Sequence, residues 1–296
     1  KMHEFNIINK YFSKLSSNNK SSLNLNDDVF FDKSKKLVVS MDTYVEGIHF
    51  LNFKNPDLVI KKILRSSISD LICKGVKPKY YFISGSGNKK TFSKKNLKII
   101  SKSLRTEQKK YSIHLSGGDT VFSKKLSFTI TSVGFSNKIV FRNKAKLNDD
   151  IYVTGNLGDS FIGLKVLQKK IKLNKNLMNY FKSKYFHPVL YRNITEKLLL
   201  FANTSIDVSD GLISDLEKMI NKQKLSYKLY LEKIPISNNL KKLVNLNIID
   251  KTSSISSGDD YQILFTASPS KSRIISKTSK SLSIKISKIG KICNPN

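Results

Sequence analysis

Tryptophan is absent, cysteine occurs only twice, and arginine is scarce in a chain whose formal charge is +31. Cys73 and Cys293 stand far apart and outside any C-x-x-C spacing, which excludes a disulfide framework and a cysteine-built zinc site. No apolar run approaches the roughly 18 residues a membrane-spanning helix requires, so no membrane partner is expected. Lys10, Lys14 and Lys20 interrupt the first apolar stretches, no secretory leader is legible, and a cytoplasmic location is the expectation. The four histidines form no Ser-His-Asp or Cys-His grouping, so nucleophilic catalysis is not indicated.

The positive charge invites a nucleic-acid reading, but its composition speaks against one. Of 53 basic residues only five are arginine, the side chain suited to bidentate phosphate and guanine contacts. The lysines are spread along the whole sequence among Asn, Ser and Ile and form no stripe. No nucleic-acid partner is expected, although a salt-sensitive attraction for anionic substrates follows from such a charge.

The 296 residues suffice for two domains, and helices and strands mix without strict βαβ alternation, which predicts a mixed α/β (α+β) architecture in two parts. The boundary is placed near residue 140, giving segments 1–140 and 141–296. Apolar spacing predicts an amphipathic N-terminal helix within 1–20 (Phe5, Ile8, Phe12, Leu15) and helices over 57–75 and 93–111. Further helices are expected over 159–170, 188–203, 211–223 and 271–280. Strands are expected at 37–42, 80–84, 113–116, 126–135, 151–154, 205–208, 227–231, 261–267 and 284–289.

The acids carry more information than the bases. Sixteen of the 22 carboxylates are aspartate, and many sit in short clusters beside apolar strands. These are Asn26-Asp27-Asp28, Ser40-Met41-Asp42-Thr43, Ser69-Asp70-Leu71, Gly117-Gly118-Asp119-Thr120, Asp207-Val208-Ser209-Asp210-Gly211 and Ser257-Gly258-Asp259-Asp260-Tyr261. Singly, each reads as a turn or a helix cap. Asp70 differs, because it falls inside a helical pattern, where aspartate is a mediocre former. Together the clusters point to hard divalent cations, since Mg²⁺ prefers carboxylate oxygens and bridges them to phosphates. Gly118 would let the backbone approach a phosphate. The stretch Gly85-Ser86-Gly87-Asn88-Lys89-Lys90-Thr91 imitates a P-loop but lacks the glycine before Lys-Thr, and protein-kinase signatures are absent.

In this order the motifs resemble the thiamine-monophosphate kinase family of the PurM-like (AIR-synthetase-like) superfamily. The most specific stretches are Ser40–Phe50, Ser69–Gly75, Gly117–Thr120, Asp150–Asp159, Ile206–Leu216 and Ser257–Phe265. The resemblance implies a two-domain fold whose N-terminal strands build a barrel across a homodimer, with ATP and thiamine monophosphate meeting among several Mg²⁺ ions. It implies metal binding by Asp28, Ser40, Asp42, Asp70, Asp119, Asp207 and Asp210. ATP contacts would come from Gly118, Asp119, Arg142 and Ser209, and substrate contacts from His49 and Asp259. Asp42, Asp119 and Asp210 would carry the catalytic role, in an in-line transfer that needs no base because the acceptor phosphate is already ionised. Asn26, Met41, Asn148-Asp149 and Asp259 depart from the family pattern, and Asn296 comes before a C-terminal segment that in the family holds an aromatic residue near the substrate. The rival readings are another PurM-like ATP-using enzyme, a non-catalytic nucleotide-binding dimer and a basic nucleic-acid binder.

Overall fold

Two sheets form, and their strands do not interleave along the chain. A computed structural model describes residues 4–295. The first sheet holds β1 (Phe30–Asp32), β2 (Leu37–Val45), β3 (Pro78–Gly87), β4 (His114–Phe122) and β5 (Ser127–Phe135), in the spatial order β1-β2-β5-β3-β4. Only the β3–β4 pair is parallel. The second sheet holds β6 (Asp150–Thr154), β7 (Thr204–Asp207), β8 (Ser226–Leu229), β9 (Ile263–Ala267) and β10 (Ile286–Cys293), in the order β7-β9-β6-β10-β8 and antiparallel throughout. This is the mixed α/β, PurM-like architecture that the motif order implied.

Helices α1 (Glu4–Ile7), α2 (Pro56–Cys73) and α3 (Lys94–Tyr111) belong to the first half. The second half carries α4 (Asp159–Leu167), α5 (Lys175–Phe186), α6 (Thr195–Phe201), α7 (Leu212–Met219), α8 (Asn238–Asn245), α9 (Lys251–Ile255) and α10 (Ser272–Leu282). The central element is α2. Pro56 opens it at a position where a missing N–H costs nothing. Gly75 closes it with φ +78°, its N–H donating to Ile72 O and that of Val76 to Leu71 O, a Schellman ending. Between those ends Ile60, Ile63, Leu64, Ile68 and Leu71 are fully buried. One apolar core joins Ile63, Leu64 and Ile130 of the first half to Phe201, Phe265 and Ala267 of the second. A helix buried on several sides is what its near-continuous apolar pattern demands.

Some sequence expectations change. The N-terminal amphipathic helix is only a short α-helical turn followed by a π turn over Ile8–Phe12 and a 3₁₀ turn over Ser13–Ser16. Phe12 and Leu15 remain 48% and 82% exposed, so no apolar face is buried there to stabilise a regular helix. Residues 1–3 and the Phe5 side chain lie outside what is described. The expected helix over 188–203 is a 3₁₀ turn and the short α6, whereas α5 precedes it unexpectedly. Its signals were legible: Asn174 caps the N-terminus by accepting from Leu177 N, and Leu177, Phe181 and Tyr185 recur at helical spacing. The P-loop imitation lies within and just beyond β3.

Replacing Ile63 by Ala removes a side chain with no solvent exposure from the shared core. The expected loss is about 3 kcal/mol of unfolding free energy in urea titration, with both halves melting in one transition.

Candidate active site

The alternation of β2 decides which of its side chains meet α2. Val38, Ser40 and Tyr44 are buried and Asp42 is half-buried on that face, while Met41 is 68% exposed. Met41 nevertheless lines the cleft beside Asp42, where it supplies no side-chain oxygen. From α2, Asp70 reaches β2, where the Ser40 hydroxyl donates to its Oδ2. From the second sheet, β7 runs out at Asp207, and the following turn carries Ser209 and Asp210. These elements enclose a cleft of about 640 Å³ whose lining includes Asp42, His49, Asp70, Asp207, Asp210 and Asp259, together with Ser209 and Tyr261.

Asp215, not singled out from the sequence, holds the turn in place. Its buried Oδ2 accepts the backbone N–H groups of Ser209 and Asp210 at 2.8 Å and of Gly211 at 3.0 Å. Successive amides converging on one carboxylate leave the Asp210 side chain on the exposed rim, where Lys218 contacts both acids. Beside this turn, to which Asp259 N donates at Ser209 O, Lys62 is 2% exposed and pairs with Asp259 Oδ1 at 2.8 Å. The Tyr261 hydroxyl donates to the same oxygen at 3.0 Å, and the Tyr185 ring lies 4.0 Å beneath the ammonium. Asp260 turns the other way and accepts from Gly158 N, so the adjacent acids have separate surroundings.

His49 is exposed at the cleft mouth, and its Nδ1 accepts the N–H of Val45 at 3.0 Å. In the neutral ring Nε2 therefore carries the proton and can donate it outward.

The expected members Asp28, Arg142, Gly118 and Asp119 are not among the residues lining this cleft. Asp28 sits behind it, 2.7 Å from Lys74 Nζ and 3.4 Å from Arg142 Nη1. Arg142 itself borders a second recess of about 700 Å³ with Lys20, Lys144 and Lys222. Gly118 and Asp119 are not in a turn but inside β4, exposed on the far edge of the sheet. Three strand spacings separate β4 from β2, roughly 14 Å at the usual interstrand distance. Gly118 has a packing reason of its own, because a Cβ there would lie 1.9 Å from Ile83 O.

The electrostatics of the cleft divide its acids. Burial, with Asp28 as the next cause, pushes Asp207 up to about 8. Desolvation in the cleft and the charges of Asp42 and Asp207 raise Asp70 well above the ordinary carboxyl range. Asp28 is lowered, because Lys74 and Arg142 outweigh the opposing effect of its burial. Carboxylates crowded until they retain protons fit a divalent cation, which favours their charged forms. Among the described residues no three His, Cys, Asp or Glu form a ready-made metal-ligand group.

Residues 26–136 match the family model described as AIR synthase related protein, N-terminal domain. The chain is 36% identical over 306 residues to the thiamine-monophosphate kinase of Buchnera aphidicola subsp. Schizaphis graminum, covering 98% of this chain and 91% of the relative. The chain belongs to the thiamine-monophosphate kinase family. The Haemophilus influenzae member is 32% identical, over 98% of this chain and 89% of its own length. Among solved structures, AaThiL complexed with AMPPCP and TMP superposes with a TM-score of 0.88 at 24% identity, covering 100% of this chain and 94% of that one. The Aquifex aeolicus thiamine monophosphate kinase gives 0.86 at 24% identity, over 99% and 94%. At that identity the two superpositions establish the fold, and membership of the thiamine-monophosphate kinase family makes the chain an enzyme of the kinase class. None of the described helices is long and apolar enough to cross a membrane.

Sequence reading missed Lys62, Lys74, Asp215 and Lys218. The first two were detectable as cations within and just after the apolar pattern of α2, where a charge needs a partner. Asp215 and Lys218 were detectable as an i, i+3 pair on α7.

A carboxyl group whose pKa is raised by folding contributes stability below its unfolded value, near 4, and loses that contribution as pH climbs through the folded value. Metal-free protein should therefore lose melting temperature between pH 5 and pH 8 as Asp70 and Asp207 ionise. Added Mg²⁺ at pH 8 should restore it with proton release. Scanning fluorimetry with and without EDTA checks the first effect, and a pH indicator in weak buffer the second.

Proposed function

We propose that this chain transfers the γ-phosphoryl group of ATP to the phosphate of thiamine monophosphate, by direct in-line displacement, using several Mg²⁺ ions. The observation carrying this reading is the single cleft that collects Asp42 and Asp70 from the first half with Asp207 and Asp210 from the second. The donor set suits magnesium, and four of the metal positions implied by the family motifs meet there. Ser40 would steady Asp70, and Ser209 would face the nucleotide from a turn tied to Asp215.

Bound Mg²⁺ supplies neutralisation of phosphate charge and stabilisation of the transferring phosphoryl group. The chain's own groups then hold the reactants. His49 Nε2 can donate to the acceptor phosphate while its Nδ1 stays fixed by Val45. Asp259, held through one oxygen by Lys62 and Tyr261, offers the other to the substrate. Arg142 stands between Asp28 and a lysine-bordered recess that suits polyphosphate charge. No general base is required, because the attacking oxygen is already anionic.

A second copy of the chain completes this reading. The first sheet leaves Phe82, Leu115, Val121, Phe122 and Phe135 from 40% to 64% exposed, an apolar patch of the kind that marks an interface. Pairing of two such faces would build the expected barrel, cover β4, and deliver Gly118 and Asp119 toward the partner's cleft. The division into two domains is placed near residue 140, in the connection between the sheets.

Incubation with ATP, Mg²⁺ and thiamine monophosphate should yield thiamine diphosphate and ADP on chromatography. Asp42→Asn should reduce kcat by about 100-fold or more with the fold intact by circular dichroism, as expected when transition-state charge loses a fixed partner. Near-normal turnover in that variant would remove the assigned role.

A further inference from the structure

Lys74 is the least exposed cation of the chain, with no solvent-accessible surface among the described residues. Its position follows from the ending of α2. The Schellman turn at Gly75 reverses the backbone immediately after Lys74, Lys74 N donates to Leu71 O, and Lys74 O accepts from Val140 N. The side chain therefore points inward, between the sheets. Its ammonium donates to Ser205 O at 2.8 Å and forms ion pairs with Asp27 Oδ1 at 2.9 Å and Asp28 Oδ2 at 2.7 Å.

The two aspartates are engaged on their remaining sides. Asp27 Oδ2 accepts the backbone N–H of Arg142 at 2.9 Å, and Asp28 Oδ1 faces Arg142 Nη1 at 3.4 Å. By contrast, neither Asp70 nor Asp207 has an ion pair among the described residues. A divalent ion approaching Asp28 meets an ammonium less than 3 Å from the carboxylate. One approaching Asp70 or Asp207 meets no such charge.

We infer that Lys74 is a resident cation that takes the place of a divalent ion at Asp28, so that metal enters this cleft through Asp42, Asp70 and Asp207 while Asp28 is a fixed post held by lysine and arginine. The inference rests on the kinase reading of the cleft and narrows it. It removes Asp28 from the metal set that the family motifs imply, and makes the charge complement of the site partly covalent. A lysine at this place cannot be diluted or chelated away, so the Asp27-Asp28 turn keeps its geometry whether or not metal is present.

The test is Mn²⁺ binding to the metal-stripped full chain, followed by electron paramagnetic resonance with Mn²⁺ alone as the probe. Asp28→Asn should keep the wild-type number of bound ions with affinity changed by less than about twofold, whereas Asp70→Asn should weaken binding by roughly tenfold or more. Lys74→Met should gain one Mn²⁺ equivalent, and its melting temperature should rise with Mn²⁺ by roughly 5 °C more than that of the wild type. A loss of one bound ion, or a tenfold weakening, in Asp28→Asn overturns the inference, as does a folded Lys74→Met that binds no extra ion. Should Lys74→Met fail to fold without metal, the Asp28→Asn arm decides alone. A wild type that binds no Mn²⁺, or binding indifferent to Asp70→Asn, defeats the metal reading of the cleft itself and this inference with it.

Discussion

Negative charges gathered from two sheets repel one another, and the arrangement of this protein around α2 answers that repulsion. Ser40 and Asp42 come from β2, Asp70 from α2 itself, and Asp207 and Asp210 from the end of β7 and the turn after it. The low-polarity core behind them, with Ile63, Ile68 and Phe265 fully buried, cannot screen the acids. Where a lysine reaches in, as at Asp28, the carboxylate stays charged. Where none does, as at Asp70 and Asp207, burial and neighbouring acids push the carboxyl above its ordinary range. In the proposed reaction, the same crowding would favour a divalent cation and, through it, phosphate.

The remaining polar groups of the cleft serve geometry. Asp215 gathers three amides and so aims the 207–211 turn, and Lys62 with Tyr261 fixes one oxygen of Asp259. Buried cations and anions are costly unless paired, and three of the pairs span junctions between elements distant in sequence. Lys62 joins α2 to the loop before β9, Lys74 joins the end of α2 to the 27–28 turn, and Arg65 with Glu107 joins α2 to α3. The Lys62–Asp259 pair and the bond from Lys74 to Ser205 O tie the first half to the second.

Membership of the thiamine-monophosphate kinase family and the large excess of positive charge fit one chemistry. Both substrates in the proposed reaction are polyanions, and a lysine-rich surface raises their local concentration without specific contacts. The specificity then has to come from the cleft, where only a few side chains face the reactants. Asp259 reaches less far than a glutamate would, and Lys62 holds it at a set position, so the substrate contact proposed for it would depend on the loop 257–261 keeping its backbone turn.

Local chemistry was enough to identify much of this from the residues alone. The alternation of 126–135, the apolar period of 57–75 and the helical stretch 93–111 require no partner to be recognised, since each is set by neighbours a few residues away. The aspartate clusters were equally plain, because hard-cation chemistry needs oxygen donors whatever the fold. Tertiary structure alone decided which of them meet. Asp42, Asp70, Asp207 and Asp210 converge, Asp119 is carried to the far edge of its sheet, Asp28 is matched with Lys74, and Asp260 turns away from its neighbour Asp259. Convergence depends on strand order and on the seat of α2 between two sheets, and both are fixed by long-range packing that no window of sequence contains.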